Sequence, residues 1–207
     1  MLASEIVLAD HGDRNMEQLE LLPFIFVRHG ETDWNVAGRF QGRTDVPLND
    51  KGREQALAAQ RLLTAPKVSR VLTSPLSRAT ETARLIFPDL IDLIDIEDLL
   101  IECDFGCLEG LHIRQVMQKY NITRKEQLAD ILPDDGEQWP GIKARCQSLL
   151  MRLATQQEPE RLIALVGHDA VLQCISELLT GEWFDSKHAH PYIFTNADAT
   201  WRIVEAE

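Results

Sequence analysis

Five side chains in this sequence stand where their types and spacing suit chemistry. Arg28 and His29 open Arg28-His29-Gly30-Glu31-Thr32, directly after the apolar run Phe24-Ile25-Phe26-Val27. His168 stands in Gly167-His168-Asp169, directly after Leu162-Ile163-Ala164-Leu165-Val166. Arg78 follows Ser74-Pro75, and Glu102 follows a stretch in which apolar and acidic residues alternate. A neutral imidazole is a nucleophile, and a guanidinium fork matches two phosphate oxygens at once. A carboxyl can give a proton and take it back. The combination suits phosphoryl transfer, where catalysis is mostly positioning and charge stabilisation.

The same residues carry a family likeness. Arg28-His29-Gly30-Glu31-Thr32, with Trp34-Asn35 close behind, resembles the signature of the histidine phosphatase superfamily, which includes the cofactor-dependent phosphoglycerate mutases. Ser74-Pro75-Leu76-Ser77-Arg78-Ala79 resembles its second arginine motif, Glu102-Cys103-Asp104-Phe105-Gly106 its acid motif, and Val166-Gly167-His168 its second histidine. The four occur in family order across residues 24–204. A lone Arg-His-Gly is a weak signal; the ordered set is a strong one.

The resemblance implies a phosphohistidine intermediate on His29 and a proton donor and acceptor at Glu102. Arg28, Asn35, Gln41, Gly42, Arg78 and His168 are the expected phosphate or substrate ligands. No metal or cofactor is expected, because the arginines neutralise charge as magnesium does elsewhere. Nearby Arg28 and Arg78 disfavour a protonated His29, whose second ring nitrogen should donate to a backbone carbonyl. A bound phosphate should raise the pKa of Glu102 by like charge.

Family mutases carry a longer insertion between the acid motif and the second histidine. The modest cap here favours the phosphatase branch: a metal-independent, histidine acid-type phosphomonoesterase acting on a small phosphorylated metabolite. Phosphoglycerate mutase activity is the alternative, and a non-catalytic phosphate-binding regulator the third possibility. Two positions depart from the family pattern. Leu108 stands where a tryptophan is common, and Asp169-Ala170 where Gly-Gly is common. The first should alter cap packing. The second sets a carboxylate beside His168, where it either holds the ring protonated or weakens anion binding. Sugar phosphates, phosphoserine, nucleotide-loop phosphates of cobalamin synthesis and phosphoproteins all remain open as substrates, as does the oligomeric state.

The elements that must position these groups follow from apolar periodicity. Two continuous apolar runs ending in polar residues read as strands buried on both faces, with ligands at their carboxyl ends. Residues 49–64 and 137–157 read as amphipathic helices, the second with Ile142, Cys146, Leu149, Leu150 and Leu153 on one stripe. Residues 69–73 read as a second parallel strand, next to the first, with Ser74 capping a helix that carries Arg78. A strand is expected within residues 89–101, short helices within 111–135, and a helix from Asp169 to Gly181. Residues 192–196 and 200–204 read as closing strands. The sum is a three-layer α/β/α sandwich around a mostly parallel, mixed central sheet. It forms a single domain over residues 23–207, with a small cap within about 108–136. Residues 1–22 read as an extension, either a loose tail with a short strand at 6–9 or a segment preceding a start at Met16.

Composition narrows the class. The chain has 207 residues, a formal charge of −12 and four cysteines. That charge argues against nucleic acid as partner. It does not oppose phosphate binding, because exposed charges are largely screened beyond about 8 Å at physiological salt. No apolar run is long enough to span a bilayer, and no basic leader precedes one. The cysteines show no disulfide framework, which suits a cytoplasmic protein. Cys146 and Arg152 have the spacing of a cysteine phosphatase but lie inside an amphipathic helix, not a glycine-rich anion loop. Cys103, Cys107 and His112 lack a recognisable fourth zinc ligand. His11, His112, His188 and His190 read as histidines outside the chemistry, the last three at the surface.

Overall fold

The computed structural model describes residues 21–63, 68–158, 161–197 and 200–206. The expected strand at 6–9 and the alternative start at Met16 lie outside them. Six strands form one sheet in the order β3-β2-β4-β1-β5-β6. Strands β1 (Phe24–Arg28), β2 (Val68–Thr73), β3 (Ile94–Ile96) and β4 (Leu162–Gly167) are parallel. β5 (Pro191–Ala197) runs antiparallel to β1, and β6 (Thr200–Glu205) antiparallel to β5.

The alternation of side chains along β1 explains the layers. Phe24 and Phe26 enter one core with Ile142, Cys146 and Leu149 of α5 (Trp139–Gln156) and with Val171, Leu172 and Ile175 of α6 (Asp169–Thr180). Ile25 and Val27 enter the opposite core with Ala56 and Ala59 of α2 (Asp50–Gln60) and with Ala79, Ala83 and Ile86 of α3 (Ser77–Ile86). The fold is thus a three-layer α/β/α sandwich on a mixed sheet. The remaining helices are the short α1 (Asp33–Val36) and, in the cap, α4 (Ile113–Lys119), next to a 3₁₀ segment, Lys125–Ile131. Among the described residues no helix is long and apolar enough to cross a membrane.

Several expectations need correction. β1 and β2 are not neighbours: β4 lies between them, so the crossover through α2 skips one position that the later strand fills. Ser74 does not cap α3. Its hydroxyl instead accepts from the Leu76 N–H and lies 2.7 Å from His168 Nε2, and the helix starts at Ser77 after an extended Leu76, without a side-chain cap. The strand expected within residues 89–101 is present as the short Ile94–Ile96, flanked by 3₁₀ turns. This is the sheet edge, where a short strand suffices, and Ile96 is exposed there. Packing also begins before residue 23. Leu21 is buried in the core, and Leu22 exchanges backbone hydrogen bonds with the Gln157 side chain at 2.8 and 2.9 Å.

Candidate active site

The parallel pairing of β1 with β4 sets Arg28 opposite Gly167, so the chain leaves both strands at the same edge. The N–H of His29 donates to the Gly167 carbonyl at 2.9 Å. The rings of His29 and His168 lie 5.2 Å apart between centroids. His168 is also the N-cap of α6. Arg78 arrives from the far side of β4, as the second residue of α3. Thr82 fixes that approach: its hydroxyl accepts from the Gly30 N–H at 3.0 Å and donates to the Arg78 carbonyl at 2.6 Å. Gly30 needs its lack of a side chain, because a Cβ there would lie 2.5 Å from the Gly52 carbonyl oxygen.

His29 is buried, and its Nδ1 lies 2.7 Å from the Gly30 carbonyl. A carbonyl only accepts, so Nδ1 carries the proton and Nε2 keeps its lone pair. Burial, then Arg78, then Arg28, hold the ring's pKa well below its ordinary value. His168 is likewise held low, by burial and then by Arg78. Its Nε2 lies 2.7 Å from the Ser74 hydroxyl. That hydroxyl already accepts from the Leu76 N–H, so its own proton is available for Nε2. His168 Nδ1 is then an N–H donor.

Arg78 is fully buried and donates to the Gly42 carbonyl at 2.7 Å and the Thr44 carbonyl at 3.0 Å. Glu109 pins that loop by accepting from the backbone N–H groups of Arg43 and Thr44. Gly42 thus serves through its carbonyl, and its φ of 56° suits glycine. Gln41 is buried, with Oε1 3.0 Å from the Thr32 hydroxyl. Asn35 Oδ1 accepts from the Thr32 N–H at 3.1 Å. Both amides keep their NH₂ groups available as donors, and both residues line the cavity described below.

Glu102 is buried, with Oε1 accepting from the Cys103 N–H at 2.9 Å. Its pKa is raised chiefly by burial, against the opposing pull of that N–H and of Arg78. Desolvation, rather than the phosphate charge expected from sequence, already favours the neutral acid in the free protein.

Asp169 does not act on His168. Its Oδ1 pairs with Arg28 Nη1 at 3.0 Å and accepts from the Ser186 hydroxyl at 2.8 Å. His188 is no surface histidine either. The Ala189 N–H donates to the Arg28 carbonyl, which carries the His188 ring to 6.0 Å from that of His29. Burial, then Arg28, push its pKa down to about 4. His190 and His112 are half-buried: the first lies 3.2 Å from Glu205, and the second has Nδ1 3.0 Å from the Ala37 carbonyl. The sequence reading missed Thr82, took Ser74 for a helix cap and took His188 for a surface histidine. Only Thr82 left a signal, four residues after Arg78 and so on the same helix face.

Four nitrogens around His29 are buried without a hydrogen-bond partner among the described residues: Arg28 Nε, Arg78 Nε, His168 Nδ1 and His188 Nε2. Beside them opens a cavity of about 130 Å³ lined by Arg28, His29, Arg78 and Glu102, with Asn35 and Gln41 at its side. Cys146 is buried in α5, and Arg152 pairs instead with Glu97 at 2.7 Å, so these two form no anion loop.

Residues 24–206 match the model of the histidine phosphatase superfamily, branch 1. A phosphoglycerate mutase-like protein of Arabidopsis thaliana is 33% identical over 167 residues, covering 78% of this chain and 72% of its own. A metal-independent phosphoserine phosphatase of the same plant is 33% identical over 166 residues, covering 75% of this chain and 68% of its own. The solved mycobacterial glucosyl-3-phosphoglycerate phosphatase, complexed with VO3, superposes with a TM-score of 0.76 at 26% identity. That match covers 89% of this chain and 98% of the other.

Proposed function

Since this chain belongs to branch 1 of the histidine phosphatase superfamily, we propose that it is a metal-independent phosphomonoesterase acting through a phosphohistidine at His29. The carrying observation is the set of three N–H donors at Arg28 Nε, Arg78 Nε and His168 Nδ1, buried around one imidazole with no acceptor among the described residues. An unpaired buried donor costs about 1–3 kcal/mol. A phosphoryl group, whose oxygens only accept, matches all three.

In the first step Nε2 of His29 attacks phosphorus, and the P–O bond to the alcohol breaks. The proton of Glu102 goes to the leaving oxygen. In the second step the Glu102 carboxylate takes a proton from water, whose oxygen attacks phosphorus and releases His29 and phosphate. Covalent catalysis replaces one difficult displacement by two easier ones. Arg28, Arg78 and His168 hold the equatorial oxygens in both steps, with Asn35 and Gln41 donating at the side. Phosphatases among the relatives support the hydrolytic reading. The mutase-like relative keeps phosphoryl transfer to a second hydroxyl as the alternative. Priming by a bisphosphoglycerate with negligible phosphate release would favour it.

The test is phosphate release from a panel of phosphomonoesters in EDTA. Wild type turns over, and a folded His29→Ala variant falls to background. Equal release by that variant, or no turnover of any ester by wild type, contradicts the proposal.

A further inference from the structure

Besides the phosphoryl-binding groups the cavity has an apolar lining. Phe40 and Phe105, with ring centroids 5.0 Å apart, contribute to it, as do Leu128 and Leu132 of the cap. Trp139 and Trp183 also line it and stack at 4.8 Å with planes 21° apart. Trp139 is anchored by donating Nε1 to Glu177 at 3.2 Å, and Lys143 holds Glu177 at 2.7 Å. These are fixed apolar walls, continuous with the cap core of Phe40, Leu108 and Val116.

The charged groups of the cavity point the same way. Arg39 donates to the Gly110 carbonyl at 2.6 Å, and Lys125 at the rim pairs with Asp185 at 2.7 Å. Arg28 is paired with Asp169. Glu102 and Asp169 both face the cavity. A second anionic group on the substrate would meet the carboxyl groups of Glu102 and Asp169, and Arg28 and Lys125 are already paired with carboxylates. A polyol would give up water for walls that cannot hydrogen-bond. An apolar group is favoured by each ångström of surface it buries.

We propose that the alcohol part of the substrate is uncharged and apolar, an aryl or alkyl group seated against Trp139, Trp183, Leu128 and Phe40. This rests on the phosphomonoesterase reading above and assigns the half of the substrate that reading leaves open. The phosphoryl group binds at His29, and the ester oxygen meets Glu102 where polar floor gives way to apolar wall.

The experiment compares kcat/KM in EDTA for benzyl phosphate, glycerol 3-phosphate, phosphoserine and 3-phosphoglycerate. Benzyl alcohol leaves no more readily than glycerol, so a preference for it reports binding of the ring rather than leaving-group chemistry. Benzyl phosphate should exceed each of the others at least tenfold, about 1.4 kcal/mol. Leu128→Ser and Trp183→Ala should each cut the benzyl-to-glycerol ratio severalfold. Equal or better turnover of any of the three polar esters overturns the apolar assignment and leaves the phosphomonoesterase intact. A benzyl preference that neither variant moves overturns its location. No phosphate release from any ester overturns both proposals.

Discussion

His29 and Glu102 share one cause for opposite ends. Burial disfavours the charged form of each, lowering the pKa of the imidazole and raising that of the carboxyl. A neutral nucleophile and a protonated acid are the pair that the first step requires. Because the pKa of Glu102 lies above that of an ordinary carboxylate, the fraction able to donate a proton falls as pH rises through it. Burial and the two arginines displace protonation of the imidazole toward acid pH. We therefore expect kcat/KM to fall on the alkaline side through loss of the Glu102 proton. A Glu102→Gln variant should lack that limb and lose about 10²–10⁴-fold in rate. Measuring both proteins on one substrate cancels the ionisation of the ester itself, and an unchanged limb in the variant would remove Glu102 from the role. Arg28, His29, Arg78, Glu102 and His168 were legible because each sits in a recognisable ordered motif. Their partners were not. The Ser74 hydroxyl on His168 and the Asp169 carboxylate on Arg28 depend on side-chain direction, which spacing does not encode.

Elements were legible where burial is complete and periodicity strong. β1, β4, α5 and α6 follow their apolar patterns closely. The order of strands was less so, since nothing in β1 or β2 alone announces that a strand more than eighty residues later will lie between them. That insertion matters to the site. It places Arg28 and Arg78 on opposite flanks of β4, so they can grip one anion from two sides. Thr82 is the tie between those flanks, joining α3 to the loop after β1. Thr82→Val keeps the shape but leaves the Gly30 N–H buried and unpaired. It should cost about 1–3 kcal/mol in denaturant unfolding and lower kcat more than it raises KM. Thr82→Ser should restore both. Full activity in the valine variant would mean that α3 needs no such tie.

At the scale of the molecule, two strand ends bring two histidines together, and two loops close around them. The 41–44 loop is held by Arg78 and Glu109, and the 182–190 loop by Arg28 and Asp169. The surface carries the −12 charge, yet the buried guanidiniums set the local field at His29. Global charge thus says little about the ligand, which is why composition argued against nucleic acid but identified no ligand. The cap was legible as an interruption between motifs, but the apolar wall it gives the cavity was not. That wall is assembled from Phe40, Leu128, Trp139 and Trp183, which are far apart in the chain. What unites these levels is the proposed phosphohistidine at His29. The most direct test is to mix protein with a turned-over phosphomonoester, quench in alkali, where a phosphoramidate survives, and locate the phosphoryl group by peptide mass spectrometry. The account predicts one label on the peptide bearing His29, formed within a turnover and absent from a His29→Ala variant. Turnover with no label on any peptide, or a label on a different residue, would contradict it.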